Sequence, residues 1–225
     1  LPICSVAFLP LVRQGQLMGC LVLGSHDPER FSPALSTDFL ARLAAIAGVC
    51  LENVFNHERL KRLGLTDALT GVHNRRYFDQ RLDEEITRSD RQGSMLGGLF
   101  LDIDFFKRIN DTFGHDSGDV VLKNTALRVR ELLRSSDCAA RFGGEEFIIL
   151  LKETPVDAAM AMAEAVRARI AGVPFDSVGH VSASFGVATW DHKEDSHALI
   201  KRADTALYKA KSSGRNCVVQ AEDAA

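Results

Sequence analysis

The chain has 225 residues, of which 46% are hydrophobic and 25% are charged, and its formal net charge is -3. This balance is typical of a globular protein, and the length leaves room for one domain of about 150 residues plus a smaller segment. A net negative charge provides no broad basic field, so the composition argues against a general nucleic-acid-binding surface. Any phosphate binding must therefore come from a local pocket.

The five cysteines are scattered, with no CxxC pair and no metal-ligand spacing. An odd, dispersed set predicts reduced thiols and a cytoplasmic location, not a disulfide framework. No apolar run reaches the roughly 20 residues that a membrane span needs, so no membrane segment is expected in this sequence. The sequence starts at Leu1, inside an apolar strand-like stretch, and we expect it to be a fragment of a longer protein.

The first quarter of the chain predicts a hairpin followed by a long helix. Two apolar runs within residues 1–25 flank a polar turn that contains Gly15. From Thr37 to Leu63, apolar residues recur at helical spacing with charges between them. A helix of this length between two domains predicts a dimerising stalk. The alternative is a surface helix that packs on its own domain.

The rest of the chain predicts an α/β (α+β) domain with a mixed central sheet and flanking helices. Residues 98–103 form an apolar run that only Asp102 interrupts, as expected for a central strand buried on both faces. A Thr-Pro-Val-Asp segment at 154–157 predicts a capping box with proline at the first helical position. The predicted elements are a helix at 74–90, a strand at 96–103, helices at 105–113 and 117–134, a hairpin at 138–151, a helix at 155–171, a strand at 180–190, a helix at 196–212 and a strand at 216–220.

The end of the central strand carries the first cluster of chemically interesting residues. Asp102 and Asp104 come at this strand end, and a helix follows at once. Open α/β sheets place ligand-binding groups at strand ends, and the N–H groups at a helix N-terminus can bind phosphate. The alternative is that an aspartate here only caps the helix.

A second cluster is the Gly143-Gly144-Glu145-Glu146 segment. The two glycines permit a tight turn before the next apolar run. Hard carboxylate oxygens at strand ends suit magnesium. Because neighbouring strand residues point to opposite faces, only one of the glutamates can share a face with Asp102 unless the turn twists. The alternative is a solvated hairpin tip.

The third cluster is a pair of basic residues, Lys211 and Arg215, on either side of Gly214. Glycine at this point predicts the end of the last helix. The two cations either complement the helix dipole or bind a polyphosphate.

Together these motifs resemble the GGDEF domains of diguanylate cyclases. The segments 67–76, 102–119, 143–147 and 204–216 have the order and spacing of that family, and the resemblance covers about residues 65–220. Glu145 stands where the family name has Asp, a common variant in active members. Val72-His73 replaces the more usual Leu-Pro, without an expected catalytic consequence. The resemblance implies a fold like that of nucleotidyl cyclases and polymerase palms, with residues 65–222 as the catalytic domain.

The resemblance also implies an activity and a metal site. GGDEF enzymes condense two GTP into cyclic di-GMP and two pyrophosphates where two domains meet in a homodimer. By motif, Asp102, Glu146 and the Ile103 carbonyl are the implied metal ligands, with magnesium as the expected ion and manganese as the alternative. Glu145 is implied as the base or as a further metal ligand, and the division of roles between Glu145 and Glu146 stays open.

The substrate-binding residues follow from the same motifs. Lys107 and the backbone of Phe105 and Phe106 resemble the family's phosphate cradle, which Lys211 and Arg215 complete. The family's catalytic set also includes Lys107.

Guanine recognition is assigned to Asn110 and Asp119. The Asn110 amide can donate to the guanine carbonyl, and the Asp119 carboxylate can accept from the guanine ring N–H and amino group. Adenine would leave that carboxylate unpaired, so we expect ATP to be rejected.

Two further segments resemble regulatory parts of such proteins. Arg134 and Asp137 match the family's RxxD site, where cyclic di-GMP inhibits the enzyme. Residues 1–36 resemble the C-terminal part of a GAF sensor domain, and residues 37–64 would be the stalk.

Two alternatives to the cyclase remain at this point. Other nucleotidyl cyclases and polymerase palms share paired carboxylates on a similar sheet but lack the Gly-Gly-Glu-Glu-Phe and Arg-Asn spacing. A catalytically silent GGDEF module that only binds GTP or cyclic di-GMP should have lost one of its functional residues. Asp102, Asn110, Glu145 and Glu146 are all present. No nucleic-acid or membrane partner is expected.

Overall fold

The computed structural model describes residues 2–13, 15–32 and 36–222, without the side chains of residues 56–63. The chain divides into two compact units, residues 1–64 and residues 65–225. Among the helices described, none combines the length and the apolar character that crossing a membrane requires.

The N-terminal unit is a hairpin with one long helix. Strands β1 (Ser5–Arg13) and β2 (Gln16–Ser25) pair antiparallel, and helix α1 (Asp38–Leu63) follows with 26 residues. Leu9 and Leu11 of β1 are buried against Ala44 of α1. The predicted hairpin and long helix are confirmed. Apolar side chains of α1 remain exposed, among them Ile46 (62% exposed) and Phe55 (57%).

The C-terminal unit is built on a six-stranded mixed sheet with the order β3-β5-β6-β4-β7-β8. The central strand β4 runs antiparallel to both β6 and β7, whereas the β3–β5 and β7–β8 pairs are parallel. This confirms the predicted mixed sheet with flanking helices. The elements are β3 (His73–Asn74), α2 (Arg75–Gln92), β4 (Leu96–Ile103), α3 (Phe106–Phe113), α4 (His115–Leu132), β5 (Cys138–Arg141), β6 (Glu146–Lys152), α5 (Val156–Gly172), β7 (Ala183–Thr189), α6 (Ser196–Ser212) and β8 (Val218–Gln220).

Helices cover both faces of this sheet, which explains why β4 is buried at every residue. Leu99 and Leu101 pack in the core formed with α3, α4 and α5. Phe100 packs in the core formed with α2 and α6. Because side chains alternate along a strand, Asp102 belongs to the same face as Phe100. The charged end of β4 therefore opens beside α6.

Two local predictions differ from the structure. The predicted capping box before α5 is wrong: the N-cap residue is Pro155, which has no side-chain cap, and the Thr154 hydroxyl donates to the Lys152 carbonyl at 2.7 Å. Proline occupies the cap position, so Thr154 lies one residue too early to bond the first turn. The parallel strand β3 was not predicted, since two residues are too short to show a period of two.

Candidate active site at the end of the central strand

The three acidic side chains Asp102, Glu145 and Glu146, here called the carboxylate cluster, meet at the end of β4. Asp102 lies directly opposite Glu146 in the β4–β6 ladder. The Ile103 N–H donates to the Glu145 carbonyl at 3.3 Å, so the pairing continues one residue before β6 begins. The charge of Asp102 acts on both glutamates. The turn thus brings both glutamates close to Asp102. Neighbouring residues of a regular strand would point to opposite faces, so this requires the twisted turn that the sequence analysis gave as the exception.

Burial raises the pKa of all three carboxylates, and a neighbouring negative charge adds to it, that of Asp104 for Asp102 and that of Asp102 for both glutamates. Desolvation is the largest cause for Asp102, and the Lys211 ammonium, 2.7 Å from its Oδ2 atom, offsets this only in part. For Glu145 and Glu146, desolvation comes first and the charge of Asp102 second, again opposed by Lys211. One lysine therefore does not neutralise three carboxylates. Such a cluster favours an additional cation.

The turn before β6 has no room for a side chain at Gly143. A Cβ atom there would overlap with the Oε2 atom of Glu146. At Gly144, by contrast, a Cβ would meet nothing within 4 Å. The first glycine of the motif therefore creates the space that the Glu146 carboxylate occupies.

Arg141 links the turn that contains Gly144 to Asp67, near the beginning of the C-terminal unit. Its guanidinium donates to the Gly144 carbonyl (2.6 and 3.2 Å) and to both Asp67 carboxylate oxygens (3.3 and 3.4 Å). Asp67 also accepts from the backbone N–H and the hydroxyl of Thr70 (2.9 and 2.6 Å). Desolvation alone would raise the pKa of Asp67, but these hydrogen bonds and the charge of Arg141 outweigh it and lower the pKa. Sequence analysis found the 67–76 motif but not this contact, which spans 74 residues.

The donor set at the carboxylate cluster fits a hard divalent cation. In the described part of the chain, no group of three or more histidine, cysteine or acidic side chains is arranged to hold a metal ion. However, magnesium uses only one or two protein carboxylates and takes its other ligands from water and substrate phosphates. Asp102, Glu146 and the Ile103 carbonyl supply oxygen atoms of that kind. The site would thus be completed by the substrate.

The residues predicted to bind phosphate surround the same strand end. Phe105 has a left-handed backbone (φ 56°) and precedes α3, whose N-terminus has no side-chain cap. Lys107 is exposed on the first turn, whereas the Phe106 side chain is buried, which leaves its backbone for a ligand. The Arg215 guanidinium lies 4.5 Å from the centre of the Phe105 ring, and Lys211 contacts the carboxylate cluster. The structure therefore brings Arg215 to Phe105 and Lys211 to Asp102, and Phe106 and Lys107 directly follow Phe105 in the chain.

The residues predicted to bind guanine lie on α3 and α4. The Oδ1 atom of Asn110 is buried and has no hydrogen-bond partner in the structure. It lies against Gly118, where a Cβ atom would overlap with it, and Asp119 is the next residue. A buried amide oxygen without a partner is costly, and exchange of the amide oxygen and nitrogen by rotation would present a donor instead. The atom without a partner is thus the amide oxygen, which is buried against Gly118.

The Arg134–Asp137 segment lies at the other end of the sheet. Asp137 accepts from the backbone N–H groups of Arg134 (3.1 Å) and Lys152 (3.4 Å). Lys152 ends β6, and Glu146 begins it, so about 20 Å of extended strand separates the two ends. Asp137 closes its own turn here, and a ligand at this turn would not touch the carboxylate cluster.

Comparison with known proteins identifies the class. The sequence profile described as "Diguanylate cyclase, GGDEF domain" matches residues 65–217. The chain belongs to the GGDEF diguanylate cyclase family, whose enzymes use divalent metal ions.

Individual relatives agree with this assignment. The response regulator PleD of Caulobacter vibrioides is 45% identical over 92% of this chain and 47% of its own length. Diguanylate cyclase A of Treponema denticola is 35% identical over 94% of this chain and 58% of its own length. The chain thus spans about half the length of the curated relatives it matches.

Solved structures show the same fold. The coiled coil and GGDEF domain of DgcB from Caulobacter crescentus, in complex with c-di-GMP, is 31% identical, with a TM-score of 0.77 over 83% of this chain and 100% of that chain. The active GGEEF domain of a diguanylate cyclase from Vibrio cholerae is 38% identical, with a TM-score of 0.65 over 67% of this chain and 98% of that chain.

Proposed function

We propose that the chain is a diguanylate cyclase that condenses two GTP into cyclic di-GMP and two pyrophosphates. The carboxylate cluster carries this proposal, because its excess negative charge and oxygen donors suit a divalent ion beside a nucleotide triphosphate. Relatives named as diguanylate cyclases support it. In each half-reaction, the 3′-hydroxyl of one GTP attacks the α-phosphorus of the other, and the bond to pyrophosphate breaks.

Magnesium is the ion we propose, with manganese as the alternative, held by Asp102, Glu146 and the Ile103 carbonyl. Such an ion lowers the pKa of the attacking hydroxyl and neutralises charge on the phosphate. Glu145 has a raised pKa, which suits either a base that takes the hydroxyl proton or a further metal ligand. Lys211 balances Asp102 until the substrate and its cation arrive.

The triphosphate would lie against the backbone of Phe105 and Phe106, with Lys107, Lys211 and Arg215 as the cations around it. Fixed positive groups at this point stabilise the charge that develops on the leaving pyrophosphate. Their arrangement around one strand end supports the assignment.

Guanine would be selected by Asn110 and Asp119. The Asn110 side chain lies against Gly118, and its amide N–H would donate to the guanine carbonyl. The Asp119 carboxylate would accept from the two guanine N–H groups that adenine lacks in this arrangement.

The chain would act as a homodimer, because two GTP must meet and each catalytic unit provides one set of residues. Exposed apolar side chains on α1, such as Ile46, Val54 and Phe55, support pairing of the stalk at residues 37–64. The structural neighbour that includes a coiled coil is consistent with this arrangement.

Two segments of the chain would regulate the activity. Residues 1–36 would belong to a GAF-like sensor segment, supported by a hairpin packed on a helix. Cyclic di-GMP would inhibit at Arg134 and Asp137. Two related GGDEF structures determined in complex with c-di-GMP support binding of that dinucleotide by a domain of this fold. Since GTP is an intracellular nucleotide, the activity would operate in the cytoplasm.

The proposal is tested by incubating the purified chain with GTP and magnesium, and in parallel with ATP, and separating the products. Cyclic di-GMP from GTP alone is the expected result, and the Glu146→Gln variant should form it at a rate that is lower by a factor on the order of 100 or more. If no product forms, GTP binding is measured and a parallel coiled coil is fused before residue 37. Binding without turnover in that fused dimer would refute the cyclase and identify a silent GGDEF module.

A further inference from the structure

Three non-glycine residues with a left-handed backbone meet around one buried carboxylate, that of Asp104. They are Phe105 (φ 56°), Arg215 (φ 63°) and Asn216 (φ 45°). Phe105 follows Asp104 in the chain, and the Asn216 N–H donates to the Asp104 Oδ2 atom at 3.0 Å. Residues other than glycine keep this strained conformation only where their surroundings impose it. Asp104 is next to Phe105 in the chain and hydrogen-bonded to Asn216, so it is placed to hold their backbones in this conformation.

Asp104 has its hydrogen bonds satisfied inside the protein. Besides the Asn216 N–H, it accepts from the hydroxyls of Ser182 and Ser184, each at 2.6 Å, and it is 4% exposed. Its own N–H donates to the Ser182 carbonyl at 2.9 Å. The residue thereby joins the end of β4, the beginning of β7 and the turn between α6 and β8. A carboxylate with three donors offers little to a metal ion.

The turn that Asp104 holds is the one that carries Arg215. The Arg215 side chain lies over the Phe105 ring, with 4.5 Å between the guanidinium carbon and the ring centre. Its charge reaches the carboxylate cluster, because it helps to lower the pKa of Asp102 against the larger effect of burial. On the outer side, Arg167 donates to the Asn216 side chain at 2.7 Å. Both segments that would contact the triphosphate are therefore anchored at Asp104.

We propose that Asp104 is a positioning residue for nucleotide triphosphate binding, which holds Arg215 and the Phe105 backbone in place without binding the metal or the nucleotide itself. The inference rests on the proposed function, since it takes Arg215 as a phosphate ligand. It assigns different roles to the two aspartates at the end of β4. Asp102 would bind the ion, and Asp104 would shape the phosphate cradle.

The Asp104→Asn variant tests this role. The replacement keeps the shape but exchanges one acceptor oxygen for an NH2 group, so the three donors can no longer all be satisfied. We expect the dissociation constant of a non-cyclisable α,β-methylene GTP analogue, and the KM for GTP, to rise by about 10-fold, with a smaller change in kcat. The matched control is Asp157→Asn on the exposed first turn of α5, which should bind as wild type does.

Two further measurements separate positioning from other roles. With GTP saturating for each variant, the magnesium concentration for half-maximal activity should not change in Asp104→Asn, whereas a metal-binding Asp104 would increase it several-fold. In an Arg215→Ala background, Asp104→Asn should weaken analogue binding by only about 2- to 3-fold, because of the two positioned groups only the Phe105 backbone is left. A full 10-fold further loss in that background would overturn the inference.

If Asp104→Asn does not fold, the Ser182→Ala/Ser184→Ala variant keeps the carboxylate and the Asn216 bond but removes two donors. It should weaken analogue binding about 2- to 5-fold, and wild-type binding would overturn the inference. Failure of the proposed cyclase function can be distinguished from failure of this inference, because in that case the wild-type chain itself would make no cyclic di-GMP. An active wild type with Asp104→Asn binding the analogue like Asp157→Asn would reject only the role of Asp104.

Discussion

Two buried aspartates, Asp102 and Asp104, lie two residues apart at the end of β4, and they differ in how their charge is compensated. Asp104 (4% exposed) accepts three hydrogen bonds from two serines and a backbone N–H. Asp102 (5% exposed) has the Lys211 ammonium beside it, and its pKa is raised by burial and, to a smaller extent, by the charge of Asp104. The two aspartates are therefore equally buried but have different roles. A carboxylate supplied with donors fixes the backbone, whereas a cluster with excess charge retains the capacity to bind a cation.

The largest expected effect comes from neutralising the cluster. Asp102→Asn or Glu146→Gln should lower the rate of cyclic di-GMP formation on the order of 100-fold or more, because each removes a metal ligand and transition-state stabilisation. The rate is measured with GTP and magnesium, and circular dichroism verifies that the fold is intact. Glu84→Gln, at an exposed position on α2, is the control and should keep full activity. Wild-type turnover in either cluster variant would refute the site.

A change in the turn tests whether the position of Glu146 matters as much as its charge. In Gly143→Ala the new methyl group would displace the flexible end of Glu146, and we expect turnover to fall about 10- to 100-fold with the fold retained. Gly144→Ala is a matched control one residue away, where a Cβ meets nothing. Equal rates for the two variants would contradict the role given to Gly143.

Carboxylates that are supplied with hydrogen-bond donors should contribute to the stability of the fold. Asp67, like Asp104, is supplied with donors, and its pKa is lowered below the usual value of 3.8. A lowered pKa in the folded state stabilises the protein above the unfolded pKa, and this contribution is lost as the pH falls through the folded pKa. Asp67→Asn should therefore reduce the free energy of unfolding at pH 7 by about 1 kcal/mol or less. Urea titrations should show this difference shrinking below pH 3.8, and a difference independent of pH would count against the account.

The smallest expected effect is an increase in stability, caused by neutralising Glu145. Glu145 has a pKa raised above 4.5, so the folded state binds more protons and loses stability as the pH rises through the raised value. In metal-free protein at pH 7, Glu145→Gln should remove this repulsion and increase the Tm by about 1–3 °C. Calorimetry in the presence of a chelator measures the shift, with Glu84→Gln again as control. A lower Tm for Glu145→Gln would show that charge repulsion in the carboxylate cluster does not destabilise the folded state.

Sequence analysis predicted the order of the elements because most have a clear period or an apolar run, as at residues 96–103. It failed for the two-residue strand β3 and for the cap before α5, where proline took the position expected for threonine. The functional residues were assigned through a family resemblance. Their geometry depends on the β4–β6 register, which places Asp102 opposite Glu146 and has no signal in local sequence.

The difference between Asp102 and Asp104 could not be read from the sequence at all. Both are aspartates at the end of one apolar run, and their surroundings decide their roles. The donors to Asp104 come from 78 to 112 residues further along the chain. Contacts over such separations are a product of the whole fold, so a local pattern cannot reveal which carboxylate is satisfied.

The most direct test of this account is a crystal structure of the chain with magnesium and the α,β-methylene GTP analogue. We predict a metal ion bonded to Asp102 and Glu146 at about 2.0–2.1 Å, the Lys211 ammonium moved from Asp102 to phosphate, and Asp104 still bonded to Ser182, Ser184 and Asn216. A metal ion coordinated by Asp104, or a triphosphate bound away from Arg215, would contradict it.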